Sequence, residues 1–162
     1  MALDDLYQEI ILDHYRSPRN RGACEECDHS VHHDNPLCGD ELDLALQLER
    51  GRIHRIAFSG RGCSISQASA SMMTERVKGE TLEQALSIAE VVRRMMHGEP
   101  PAVDLGDLMA LEGVSRFPVR VKCALLPWMA LRDALTRGMT EEARRRAAGP
   151  GGAAATNKQE LR

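Results

Sequence analysis

The stretch DELDLALQLERGRIHRIAFSGRGC, residues 40–63, decides the fold because it predicts two paired strands. Leucine occupies every second position from Leu42 to Leu48, which is the period of a half-buried strand. Arg50-Gly51 then turns the chain, and Ile53 to Ser59 returns as a second strand. Such an antiparallel pair brings Asp40 and Cys63, the two ends of the stretch, to the same edge of a sheet.

The segment just before this pair, Asn35-Pro36-Leu37-Cys38-Gly39, predicts an exposed bend. Pro36 favours an extended conformation at Asn35, and Gly39 allows the backbone to turn where a side chain would clash. The bend presents Cys38 two residues from Asp40, and a thiolate and a carboxylate placed in this way can share one cation. Asn-Pro and Gly-Asp are also ordinary turn dipeptides, so the segment alone does not define a site.

Two further cysteines have glycine or basic neighbours. Cys63 follows Gly60-Arg61-Gly62 where a predicted strand passes into a predicted helix, and a helix N-terminus favours a thiolate. Cys123 follows Arg120 and Lys122 at the predicted start of the last long helix. Three cysteines and Asp40 are ligand types that a tetrahedral zinc ion accepts. Their spacing leaves open whether the four side chains converge.

The rest of the chain reads mainly as helices. We expect a first amphipathic helix that begins near Leu3 and ends before Pro18, and a second helix of small residues over 64–78. A third helix over Leu82–Met96 is expected to start from a capping box of Thr81 and Gln84. A short apolar helical piece follows within 101–115, and a final helix has Pro127 in its first turn. The expected fold class is therefore α+β, with a small antiparallel sheet of about three strands packed on one side by several helices.

Length and composition limit the classes of protein. A chain of 162 residues with 43% hydrophobic residues predicts one domain over 1–147, followed by a Gly- and Ala-rich tail over 148–162 that we expect to be disordered. A net charge of −3 argues against a nucleic-acid partner. The chain has no apolar run of about eighteen residues and no signal-peptide pattern at its N-terminus, so we expect no membrane association and a cytoplasmic location.

The cysteine count favours metal or thiol chemistry over a disulfide framework, because five is an odd number. Cys24 and Cys27 form a Cys-x-x-Cys pair, which could indicate redox chemistry or zinc. No second pair completes a four-cysteine zinc site, and no strand–helix pattern of the thioredoxin type flanks this one. The sequence therefore assigns no role to the pair. The polar segment over 16–34 reads as a loop or an edge strand, and its histidines at 29, 32 and 33 are interpreted as solvated rather than metal-binding.

Four stretches together resemble one family. They are ILDHYRSPRN at 11–20, NPLCGD at 35–40, GCSISQASASMM at 62–73 and FPVRVKCA at 117–124. In sequence and order they resemble the SufU branch of the IscU/NifU N-terminal-like iron–sulfur cluster assembly family, over roughly residues 6 to 135. The resemblance implies a SufU/IscU-like fold and a zinc-dependent sulfurtransferase that accepts persulfide sulfur from a SufS-type cysteine desulfurase. It also implies a downstream partner, either an iron–sulfur scaffold or another sulfur acceptor.

The resemblance implies roles for particular residues. Cys38 matches a residue that is both zinc ligand and sulfur acceptor, and that a desulfurase histidine displaces from the zinc. Asp40, Cys63 and Cys123 match the remaining zinc ligands. Arg120 matches an arginine that takes part in the encounter with the desulfurase, although a surface salt bridge is an equally good interpretation from the sequence.

Three functions stay open at this point. Lys122 stands where IscU-type scaffolds have a histidine, and a long insertion separates Cys63 from Cys123; the resemblance associates both features with the zinc-dependent sulfurtransferase. The first alternative is an IscU-type scaffold that holds iron or a [2Fe-2S] cluster on Cys38, Asp40, Cys63 and Cys123. The second is a zinc-stapled structural or binding module without turnover.

Overall fold

The chain forms one three-stranded sheet with helices packed on one face. The computed structural model describes the backbone of residues 3–160 and the side chains of residues 4–148. The elements are α1 (Leu3–Arg16), β1 (His29–Asn35), β2 (Asp40–Glu49), β3 (Arg52–Arg61), α2 (Ser64–Val77), α3 (Leu82–Met96), a 3₁₀ segment (Gly106–Arg116) and α4 (Pro118–Glu160). The predicted α+β class is confirmed.

The sheet has three strands in the order β1-β2-β3, and both pairs are antiparallel. Leu42, Leu44 and Leu46 of β2 are at most 1% exposed, whereas the intervening side chains lie on the other face of the strand. Leu44 lies opposite Phe58, which is also buried. The alternation therefore fixes the register, because a slip of one residue would expose the whole leucine row.

The helices cover the leucine face of the sheet, as the sequence predicted. Small residues dominate the buried face of α2, where Ala68 and Ala70 are fully buried. Their size lets the helix approach its neighbours closely, and Met72 and Met73 fill the remaining space. At α3 the predicted capping box is confirmed, since the Thr81 hydroxyl accepts from the Gln84 N–H and the Gln84 side chain accepts from the Thr81 N–H.

The last helix begins earlier than predicted. Phe117 ends the 3₁₀ segment and α4 starts at Pro118, so Pro127 lies well inside the helix rather than in its first turn. Pro118 suits the first helical position because its missing N–H would have no intrahelical partner there. Pro127 lacks the backbone N–H that would donate to the carbonyl of Cys123 in the preceding turn. In that region the Ser69 hydroxyl donates to the Ala124 carbonyl at 2.7 Å.

His29, His32 and His33 lie on the edge strand β1, so the edge-strand interpretation of this polar segment is confirmed there and the loop interpretation is wrong. His33 contacts Asp133 of α4 at 3.1 Å, and His32 contacts Asp43 of β2 at 2.9 Å. His33 therefore holds β1 to α4, and His32 holds it to the neighbouring strand β2. The sequence could not predict these pairs because their partners are distant in the chain.

His14 of α1 is fully buried and links three elements. Its Nδ1 lies 2.8 Å from the Ser71 hydroxyl of α2, and its Nε2 lies 3.0 Å from Asp107 in the 3₁₀ segment. The backbone N–H of Arg19 also donates to the Ser71 hydroxyl. A buried polar side chain with both nitrogens partnered fastens α1 to the rest of the protein.

The predicted tail over 148–162 falls almost entirely outside the residues whose side chains are described, and its disorder stays a prediction, as does the domain boundary at 147. Within the described part of the chain, no helix combines the length and the apolar character needed to cross a bilayer.

Ser69→Ala tests the link between α2 and α4. The Trp128 indole N–H donates to the Ser69 hydroxyl at 3.1 Å, and the hydroxyl donates to the Ala124 carbonyl. The substitution leaves the buried Trp128 indole N–H without this partner, so we expect a loss of about 1–3 kcal/mol in the free energy of unfolding, measured by urea denaturation. Ser30→Ala, on the exposed side of β1, is the control and should change it by less than about 0.5 kcal/mol. Equal effects of the two variants would contradict this role for Ser69.

Candidate metal centre

Cys38 lies in the tight turn that joins β1 to β2. Asn35 and Asp40 face each other as the last pair of the two strands, and the residues between them form the turn. The Asn35 carbonyl accepts from the N–H groups of Cys38 and Gly39, and Gly39 has a φ of 75°, which favours glycine. The predicted bend is confirmed, and Cys38 is exposed on it.

Asp40 and Cys63 meet at the edge of the hairpin where β2 begins and β3 has ended. The Cys63 backbone N–H donates to Asp40 Oδ1 at 3.0 Å, and Cys63 Sγ lies 3.8 Å from Asp40 Oδ2. Cys63 is the N-cap of α2, as the strand-to-helix pattern predicted. Asp40 is only 2% exposed, so this carboxylate is held in a largely dry position.

Cys123 enters the same region from α4. It lies in the second turn of that helix, not at its start as the sequence suggested, and it is 2% exposed. Its Sγ is 3.7 Å from Cys38 Sγ and 3.7 Å from the Val119 carbonyl oxygen one turn earlier. A helix packed into the core thus brings a residue distant in the sequence to the hairpin edge.

Three of the four predicted ligands form one compact set. Donor atoms of Cys38, Asp40 and Cys123 all lie within 4.8 Å of one another. Cys63 borders this set through Asp40 and lines the same cavity of about 520 Å³. A tetrahedral zinc ion with Zn–S bonds near 2.3 Å separates two sulfur ligands by about 3.8 Å, close to the observed Cys38–Cys123 distance. The donor set and its spacing therefore fit zinc.

The charges in this cluster also fit a cation. Burial raises the pKa of the Cys123 thiol well above its usual range, and the neighbouring Asp40, Cys38 and Cys63 raise it further. Burial also acts to raise the pKa of Asp40, but hydrogen bonds from Cys38, the Cys63 N–H, Cys123 and Ser66 outweigh it and lower this pKa overall. The Asp40 carboxylate therefore stays ionised at neutral pH and offers a negative charge to a cation. A bound cation would offset the cost of ionising the thiols.

The basic side chain of Arg120 also lines this cavity. Arg120 lies in the first turn of α4, three residues before Cys123, and therefore on the same side of the helix. It is exposed and lines both the cysteine cavity and a neighbouring groove of about 480 Å³ between α1, α2 and the 3₁₀ segment. Lys122 is exposed but is not among the described residues that line the cavity.

Arg21, which the sequence analysis did not single out, braces the loop that carries Cys63. Its guanidinium donates to the Gly60 carbonyl at 2.8 Å and to the Gln67 side-chain oxygen, and it lies over the Phe58 ring. Gly60 precedes Cys63 at the end of β3, and Gln67 follows it in the first turns of α2. The brace therefore spans the segment on both sides of Cys63.

Two glycines permit the close packing at this edge. Gly60 has a φ of 122°, and a Cβ there would overlap the Glu41 carbonyl oxygen of the neighbouring strand. A Cβ at Gly62 would overlap Ser66 Oγ and approach Asp40 Oδ1 to 2.8 Å. The glycines around Cys63 therefore let the loop approach the carboxylate that its own backbone N–H binds.

Cys24 and Cys27, to which the sequence assigned no role, are joined by a disulfide. One disulfide between residues three positions apart is not the disulfide framework that the cysteine count argued against. Cys38, Cys63 and Cys123 are all free. The disulfide-bonded pair is therefore distinct from the three free cysteines of the candidate metal centre.

The fold and the site together define a class: a small α+β domain with three thiols and a carboxylate gathered at one edge of its sheet. The model of the NifU-like N-terminal domain matches residues 6–124, and the chain belongs to that family.

Three relatives illustrate its range. The zinc-dependent sulfurtransferase SufU of Bacillus subtilis is 45% identical over 83% of this chain and 92% of its own. The iron–sulfur cluster assembly scaffold protein IscU of Streptococcus pyogenes is 39% identical over 83% of this chain and 86% of its own. The crystal structure of a SUF-system scaffold protein from Fervidobacterium islandicum matches with a TM-score of 0.76 and 33% identity, over 83% of this chain and 99% of that one.

Gly62→Ala should weaken zinc binding because the added methyl displaces Ser66 and Asp40. Removing residues that orient metal ligands typically costs 10- to 100-fold in affinity, so we expect a rise of about that size in the zinc dissociation constant, measured by competition with a chromophoric chelator. Gly113→Ala is the matched control, because its methyl meets only the end of the Arg116 side chain, at 3.3 Å. Unchanged affinity in Gly62→Ala would show that the close approach is dispensable.

Arg21→Gln should speed the release of zinc because it removes the brace across the Cys63 loop. We expect release to a chelator to be about tenfold faster while the far-ultraviolet circular dichroism stays unchanged. Arg52→Gln provides the comparison, since Arg52 is also an exposed arginine that donates to a glycine carbonyl, that of Gly79 at 3.0 Å, but at the far end of β3. Similar release rates in the two variants would show that the contacts of Arg21 do not slow the release of zinc.

Proposed function

We propose that this protein is a zinc-dependent sulfurtransferase that accepts persulfide sulfur from a SufS-type cysteine desulfurase for iron–sulfur cluster assembly. One observation carries the proposal: the thiols of the cluster differ sharply in access. Cys38 is exposed on a turn, whereas Cys123, whose sulfur lies 3.7 Å away, is buried in a helix. A sulfur acceptor must be reached by its donor, and a group that anchors a site need not be.

The transfer requires only a thiolate at Cys38. Its sulfur attacks the terminal sulfur of the donor persulfide, a new S–S bond forms on Cys38, and the donor cysteine leaves as a thiolate. The result is a persulfide on Cys38 and no net change in the number of electrons on the two proteins. The exposed turn gives this sulfur an open approach, while Asp40, Cys63 and Cys123 keep their places in the sheet edge and the helices.

Zinc, when bound, would keep the thiols ionised at neutral pH. Cys38, Asp40, Cys63 and Cys123 are the residues that would hold it. Their environments suit different tasks. Asp40 and Cys123 are buried at fixed positions, and Cys38 lies on a turn of the backbone where a ligand can exchange without disturbing the core.

The surroundings of the cavity favour a protein as sulfur donor. Leu37 beside Cys38 is 77% exposed, Val119 on the cavity wall is 68% exposed, and Phe117 on the adjacent groove is 58% exposed. Exposed apolar residues clustered at one place are typical of a protein-binding surface. Arg120 stands between the cavity and the groove and can meet an acidic group of the desulfurase during the encounter.

An IscU-type scaffold is the second candidate. The same four residues could hold iron, and scaffold proteins occur among the relatives. Lys122 argues against it, because the exposed ammonium offers no lone pair to a metal at the position where those scaffolds carry histidine.

The decisive measurement is alanine release by a SufS-type desulfurase with cysteine as substrate and without iron. The zinc-loaded protein should raise turnover at least about tenfold, because it removes sulfur from the desulfurase, and Cys38→Ser should abolish the rise. Circular dichroism and zinc content of the variant are measured in parallel, because a purely structural zinc site predicts that Cys38→Ser unfolds.

The two alternatives give different results in the same set of experiments. No rise in turnover with folded, zinc-loaded wild-type protein would reject the sulfurtransferase. A scaffold should then become coloured when reconstituted anaerobically with iron and sulfide, and should pass the cluster to an apo-acceptor.

A further inference from the structure

The Cys24–Cys27 disulfide closes a tight turn just before β1. Glu25 and Glu26 form the turn, and the Cys27 backbone N–H donates to the Cys24 carbonyl at 3.3 Å. Both cysteines are half-buried. A thiol can therefore approach the sulfurs, and the turn itself is held by a backbone bond that does not depend on the S–S bond.

The pair lies outside the candidate metal centre. Cys24 lines a cavity of about 440 Å³ together with residues from the middle of the sheet, among them Val31, His32 and Asp43. Neither Cys24 nor Cys27 lines the cavity that contains Cys38. The pair therefore forms a site of its own.

The charges around the pair are mixed. Glu25, Glu26 and Asp28 are exposed and adjoin the two cysteines in sequence. His32 and Arg137 line the same cavity as Cys24, and a cation there can stabilise the attacking thiolate. The direction of the reaction depends on the molecule that the pair meets, since a persulfide takes two electrons from the dithiol and an external dithiol returns them.

We propose that Cys24 and Cys27 are a reversible two-electron site whose dithiol form reduces persulfides to sulfide. The choice of acceptor rests on the proposed function, since sulfur that arrives as a persulfide must gain two electrons before it becomes sulfide. The electrons that reset the pair come from an external dithiol.

The reaction balances without a further reagent. The thiolate of one cysteine attacks the carbon-bound sulfur of the persulfide, forms a mixed disulfide and expels hydrosulfide. The second cysteine then attacks the sulfur of the first cysteine and closes the Cys24–Cys27 bond. The thiolate of the molecule that carried the persulfide leaves in this step. The two thiol protons end on sulfide and on the released thiol. The backbone bond across the turn favours the second step because it keeps the two cysteines close.

Thiol counting on the full-length chain is the first test. After air oxidation, removal of zinc and denaturation, alkylation should modify only the three cysteines that are free in the structure. After reduction it should modify all five. Five alkylated cysteines in the air-oxidised protein would overturn the proposal at once.

Sulfide release is the second test. The zinc-loaded protein is reduced, freed of reductant and mixed with cysteine hydropersulfide; we expect about one equivalent of sulfide per chain beyond that released by Cys24→Ser/Cys27→Ser, with closure of the disulfide followed by alkylation and mass spectrometry. Ser30→Ala, near the turn on β1, should release as much as the wild type. Equal release by wild type and double variant would reject the site.

This assay contains no desulfurase, and the difference between wild type and double variant does not depend on Cys38. Its failure would leave the alanine-release result unaffected, and failure of the sulfurtransferase proposal would leave this result unaffected. Circular dichroism of the double variant checks its fold, and the thiol count on the wild type tests the pair without any substitution.

Discussion

The hydrogen bond from the Cys63 backbone N–H to Asp40 Oδ1 fixes the loop that carries Cys63 against the edge of the sheet, and the candidate centre depends on it. It joins the first residue of β2 to the N-cap of α2, and thus the sheet to the helix that packs on it. The bond forms because the β2–β3 register ends with Glu41 opposite Arg61, which leaves Asp40 beside the loop that follows. The absence of a side chain at Gly62 lets that loop close over the carboxylate.

Cys123 and Cys38 differ in how firmly the surrounding backbone is held, because they belong to different elements. Cys123 belongs to a helix whose neighbouring residues Ala124 and Trp128 are bound through Ser69 to α2. Cys38 belongs to a hairpin turn held mainly by the Asn35 carbonyl. In the proposed function, the packed helix would anchor the metal and the exposed turn would carry the ligand that exchanges.

Local patterns in the sequence predicted much of the fold. The leucine alternation in 42–48, the turn at Arg50-Gly51 and the Thr81–Gln84 capping box each depend on residues a few positions apart, and each is confirmed. The turn that exposes Cys38 was predicted for the same reason. The predicted start of α4 was wrong because a proline suits a first turn equally well, whereas the contacts that hold the longer helix, such as those of Ala124 and Trp128 with Ser69, come from distant parts of the sequence.

Long-range contacts could not be predicted in this way. The approach of Cys123 to Cys38 came from the family resemblance and not from spacing, because the two are joined through the packing of α4 and not through any local pattern. Arg21 looked like one arginine among several in a polar loop, and its contacts with Gly60 and Gln67 exist only in the folded protein. The Cys24–Cys27 spacing fits a disulfide, a metal site or free thiols, and no residue between them decides.

The distribution of the four candidate ligands over the chain has a consequence for biosynthesis. Cys38, Asp40 and Cys63 all belong to the hairpin and its flanks, and Cys123 follows only after α3 and the 3₁₀ segment. During translation the N-terminal part emerges first. The nascent chain therefore presents an incomplete donor set until α4 has been made and has docked, and tight capture of a metal ion coincides with completion of the core. The metal would then report that folding is finished.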